Sequence, residues 1–117
     1  MKNTSPTAIL LNVGHLMDHW VLAAFAYTWF QIAAAWGTQW TELTPYNFGA
    51  TFMFGTGSIL AGRLGDLWGR RIMIIIFFAG MGVSCLLIAV CSTPWQIGTA
   101  LTLMGAFASI YHPVGIP

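Results

Sequence analysis

An all-α, polytopic membrane protein with four transmembrane helices is the fold that this sequence predicts, and three observations predict it. Hydrophobic residues make up 57% of the 117-residue chain and charged residues only 6%, whereas soluble domains carry about 25% charged residues. Such a chain has too few polar groups to cover a globular surface. Four stretches approach the roughly 20 mostly apolar residues that cross a bilayer core. The charges are also gathered rather than scattered, with three of the four Lys and Arg residues inside Gly62–Arg71.

The first span covers about residues 8–36, long enough to tilt. Lys2 ahead of it imitates a secretory signal, but Asn12, His15, Asp18 and His19 interrupt the run and no small-residue cleavage site follows, so the segment is expected to be retained. The second span covers about residues 46–62. The third, about 72–91, is the cleanest, without a charge or proline, and the fourth covers about 94–117. Cys85 and Cys91 lie six residues apart within the third run and read as small apolar residues, not as a metal pair or a disulfide framework.

The connections differ in charge. Residues 37–47 carry Glu42 without any Lys or Arg, and the stretch between the third and fourth spans carries no charge. Arg63, Arg70 and Arg71 cluster between the second and third spans, and Lys2 lies at the amino terminus. Lys and Arg in short loops stay on the cytoplasmic side, so both regions are expected there, with Thr41 and Thr93 opposite. Trp36, Trp40, Tyr46, Trp68 and Trp95 fall near the span ends, where amphipathic rings favour the interface.

The arginines alone account for topology; Gly62, Gly65, Asp66 and Gly69 ask for more. Glycine permits tight turns and close helix approach, and Asp66 precedes Arg70 by four residues, within pairing reach across a turn. The pattern Gly62, Leu64, Asp66, Gly69, Arg70 and Arg71, set between the second and third spans, resembles the signature loop of the major facilitator superfamily of secondary transporters. The segment "IYHPVG" in the fourth span is similar to a His-Pro segment of some members.

The resemblance implies an amino-terminal portion, helices 1 to 4, of a two-halved transporter with its solute site between the halves. It implies that Gly62, Arg63, Asp66, Gly69, Arg70 and Arg71 form a conformational-switch motif, in which Asp66 and Arg70 latch the amino-terminal helices against the other half. The chain is then an incomplete piece whose partners are the lipid bilayer, a small solute with protons, and the carboxy-terminal helices of the same transporter. The expected location is a bacterial inner membrane. One departure from the family pattern is the lack of an arginine in the fourth span, which argues against the drug-antiporter subclass.

Asp18 is the only acid inside an apolar span, where a charge costs about 2.5–3.5 kcal/mol even on insertion scales. His15, Asp18 and His19 share one helix face, with Asn12 a turn earlier. By resemblance, His112 of the fourth span looks toward this stripe. Proton coupling or solute binding at Asn12, His15, Asp18, His19 and His112 is the functional reading. Simple solvation or polar packing near the end of a tilted helix is the plain one. His15, Asp18 and His19 also offer metal-ligand types, but no supporting pattern accompanies them, so neither a metal nor a cofactor is assigned. No nucleophile has a nearby base and no basic face suits nucleic acid, so an enzyme and a nucleic-acid binder are not expected. The alternative to a transporter portion is a complete small four-helix exporter acting as a homo-oligomer, or an accessory membrane protein.

Overall fold

In the computed structural model, residues 5–115 are described. They are helical apart from short connections, with no strand among them. α1 (Pro6–Trp36) starts at Ser5, whose hydroxyl accepts from the Ala8 amide, with Pro6 at the first position, where its missing N–H costs nothing. A single turn, α2 (Trp40–Leu43), and a 3₁₀ turn (Thr44–Asn47) occupy the uncharged-to-acidic connection. Then follow α3 (Phe48–Trp68), α4 (Arg70–Ala89), α5 (Pro94–Ala108) and a one-turn α6 (Tyr111–Gly115).

Three helices, rather than the expected four, are long and apolar enough to cross a membrane: α1, α4 and the stretch Pro94–Gly115. α3 has the length, 21 residues, but its five glycines, three hydroxyl residues, Arg63 and Asp66 dilute its hydropathy. The same residues explain its packing. Gly57, Ala61 and Gly65 recur every four residues and are buried, so a flat ridge of small side chains lies against α5 and α6, the closest helix pairing in the bundle being α3 with α5. Backbone meets backbone at Gly105, where any Cβ would overlap the Ala50 carbonyl. Met104 and Ala108 on α5 are completely buried, and the core continues through Met73, Phe77 and Leu101. The buried hydroxyls of Ser84 and Ser109 donate to the carbonyls of Gly80 and Ala106 on their own helices, so neither is left unpaired in the apolar interior.

The outside is apolar as well. Leu10, Leu16, Trp20, Ile59, Leu86 and Val90 each expose 65% or more of their surface, a distribution that suits lipid and would aggregate in water.

The arginine-rich stretch differs from the expected loop. Gly62–Trp68 continue α3, because Leu64 and Leu67 extend its apolar run, and Arg70 and Arg71 already open α4. Gly69 alone makes the turn, at φ 88° and ψ 144°. Because the helix breaks there, Asp66 and Arg70 do not stand one helical turn apart, and among the described residues they form no ion pair. Both are exposed. Only glycine takes this backbone conformation without strain, so Gly69→Ala is expected to lower stability by about 1–3 kcal/mol, read as a fall in melting temperature in detergent. A melt equal to wild type refutes the strained-junction account.

The fourth span also divides. Pro113 cannot donate to the carbonyl of Ser109, four residues earlier, and the helix is interrupted at Ser109–Ile110 before α6 resumes. This break sets the orientation of Tyr111 and His112.

Candidate functional site

α1 is 31 residues long, about 46 Å, yet it buries little: Gly14, Asp18, Trp29 and Ala33. Two of these four mark its crossing with the carboxy-terminal helix. At Gly14 a Cβ would stand 3.0 Å from the Phe78 ring and 3.2 Å from that of Tyr111, so the small residue lets α1 come close. The Tyr111 hydroxyl donates to the Leu11 carbonyl and fastens α6 to α1.

Four of the five polar positions singled out in the sequence meet at this crossing. The Nε2 atoms of His15 and His19, one turn apart on α1, lie 2.9 Å from each other. His112 reaches across from α6, its ring centroid 5.4 Å from that of His15 and 5.3 Å from that of His19, edge-on to both. Its Nε2 stands 4.0 Å from Asp18 Oδ2. Asn12 is not part of the group; its amide donates to the Ala8 carbonyl at 2.9 Å, one turn back on its own helix.

Asp18 is fully buried, and neither of its carboxylate oxygens has a hydrogen-bond partner. Buried polar groups in folded proteins are nearly always paired. A carboxylate in this setting is a strong site for a proton or another cation. The facing imidazoles are the nearest groups that can exchange one, and they are not sealed in: His19 is exposed and the His112 side chain is 34% exposed. Beside His15, a cleft of about 480 Å³ opens between the start of α1 and α6, bordered by Asn12, Leu11, Tyr111 and Gly115.

Aromatic walls hold the imidazoles. Tyr111 stacks on His15 with centroids 5.4 Å apart and planes 17° from parallel, and Phe54 of α3 meets His112 edge-on at 5.3 Å. Tyr111, Phe54 and Gly14 are the site residues that sequence reasoning passed over. Gly14 and Tyr111 adjoin histidines in sequence, which was the available signal; Phe54 carried none. Of the arginine-rich motif, Gly62, Arg63 and Asp66 lie on α3, Gly69 at the junction and Arg70 and Arg71 on α4; Gly62 faces Pro113, the neighbour of His112.

Comparison with protein families gives no match, and no solved structure matches the chain. Among curated proteins, a stretch of 68 residues, 58% of this chain, is 29% identical to the "Probable actinorhodin transporter" of Streptomyces coelicolor. That stretch spans 12% of the relative's length. A distant and partial relative of this apolar helical chain is therefore named as a transporter.

Proposed function

We propose that the chain is the amino-terminal portion of a proton-coupled secondary transporter of the major facilitator type, moving a small solute across a membrane. The observation that carries this reading is the buried, unpartnered Asp18, 4.0 Å from His112, at a helix crossing that gathers His15, His19 and His112. Ionisable groups within membrane spans are rare and mark ion and proton pathways. The distant transporter relative and the Gly62–Arg71 motif point the same way. α3, too polar to qualify as a span by itself, crosses as an inner member of the bundle, its glycine face covered by α5 and α6. Arg63, Arg70 and Arg71 support a cytoplasmic side for the α3–α4 junction, as Lys2 does for the amino terminus, and the membrane in this reading is a bacterial inner membrane. In this reading, opposing helices of the same transporter complete the solute site, and Asp66 and Arg70 serve the access change at the α3–α4 junction.

Alternating access tests this reading without knowledge of the solute. The complete reading frame, with Cys85 and Cys91 replaced by serine, carries a single new cysteine at Phe54, beside His112. An impermeant thiol reagent is expected to label it in both right-side-out and inverted vesicles, while a cysteine at Thr41 is labelled in right-side-out vesicles only. Labelling of the Phe54 position from one side, or from neither, contradicts a transport cycle.

A further inference from the structure

We propose that His15, His19 and His112 form a binding site for one divalent transition-metal ion of the zinc class, with Asp18 supplying the balancing negative charge. One ring nitrogen from each of the three histidines lies within 4.8 Å of the others, and the Nε2 atoms of His15 and His19 are 2.9 Å apart. Two imidazoles bound to a tetrahedral zinc ion at about 2.0–2.1 Å stand roughly 3.3–3.4 Å apart. The observed separations bracket that value, so small rotations about the histidine side chains bring all three nitrogens to one centre.

The sequence arrangement is suited to the task. His15 and His19 are four residues apart on a single helix, a spacing that puts two imidazoles on one face toward one ion. The third ligand comes from α6, so the ion joins two elements that otherwise touch through few residues. Three nitrogen donors favour zinc, nickel or copper over magnesium and calcium, which require shells of oxygen.

Asp18 is the independent observation. Both of its oxygens are buried and unpartnered, and one of them lies 4.0 Å from His112 Nε2. Metal-bound histidines commonly give their second ring N–H to a carboxylate, which fixes the ring and raises its basicity. With His112 Nε2 on the Asp18 side, this ring would turn Nδ1 to the metal and give Nε2–H to the carboxylate once the 4.0 Å gap closes, and a dication would supply the compensating charge that Asp18 lacks. Tyr111 against His15 and Phe54 against His112 limit ring movement, while the exposure of His19 leaves a way in and room for a fourth, exchangeable ligand. Because imidazole binds a metal only when neutral, the ion and protons compete for the same nitrogens.

The test uses tag-free full chain in detergent, titrated with Co²⁺ and followed by its visible absorption, then displaced with Zn²⁺. One ion per chain is expected, with the strong visible band of four-coordinate cobalt. His19→Gln changes an exposed side chain and leaves folding intact, and it is expected to weaken binding at least 100-fold, as is His112→Gln. Asp18→Asn, removing the supporting carboxylate, is expected to weaken it about 10- to 100-fold. The double variant Cys85→Ser, Cys91→Ser is expected to bind as wild type. Absence of a saturable band from the folded chain overturns the site. So does His19→Gln binding like wild type, or loss of the band on removal of the cysteines alone. Binding is read without flux, so it fails or holds separately from the labelling test of transport.

Discussion

Gly105→Ala is expected to destabilise the bundle by about 3 kcal/mol, lowering the melting temperature in detergent by about 10 °C or more. The added methyl would occupy the space of the Ala50 carbonyl. A clash with a flexible side chain is relieved by rotation, but this one is with backbone, and relief requires α3 and α5 to separate along their whole contact. Ala50, Met104 and Ala108, all buried, would lose contact together. Gly82→Ala on α4 is the paired control: nothing lies within 4 Å of its position, and alanine there is expected to stabilise the helix by about 0.5–1 kcal/mol. Equal melting temperatures for the two variants would show that α3 and α5 are not in contact as described.

Asp18→Asn in the complete protein is expected to abolish uptake driven by a pH gradient while leaving solute binding or exchange partly intact. The carboxylate is the only buried acid among the described residues, and asparagine cannot take up and release the coupling proton. The same substitution is expected to raise stability by about 1–3 kcal/mol, because it removes a buried charge whose oxygens have no partner. Lost uptake with a raised melting temperature identifies a group kept for function at the expense of stability. Unchanged uptake with a raised melting temperature ends the proton-coupling reading and leaves Asp18 as a tolerated polar group.

The helical, lipid-suited character was legible because composition and long apolar runs report it directly, and the runs from Ile72 and Pro94 did so most clearly. α3 was harder to read. Its glycines are what the packing needs at Gly57 and Gly65, and the same glycines erase the hydropathy by which a span is recognised. A connection was expected across the whole Gly62–Arg71 stretch, and the structure confines it to Gly69, since a charged, glycine-spaced stretch looks like a loop until the leucines at 64 and 67 are seen to continue the helix. At the site, the α1 face of His15, Asp18 and His19 followed from helical spacing alone. The approach of His112 came from resemblance, since no local pattern tells which distant residue meets a helix face. Asn12 had the right spacing, but its short amide found a partner on its own backbone first. Phe54 was invisible because its role depends only on the distance between α3 and α6.

The interruption at Ser109–Ile110 divides the fourth span mechanically. Before it, α5 is immobilised by backbone contact with α3; after it, Tyr111 and His112 ride on a single turn of helix fastened to α1 through the Leu11 carbonyl. That turn is held on its other side as well, with Val114 against Gly65 and Pro113 against Gly62 of α3. The interruption therefore acts as a fixed corner: by redirecting the chain after α5 it lets one turn of helix touch α1 and α3 at once, and it seats the His112 ring between Phe54 and Asp18.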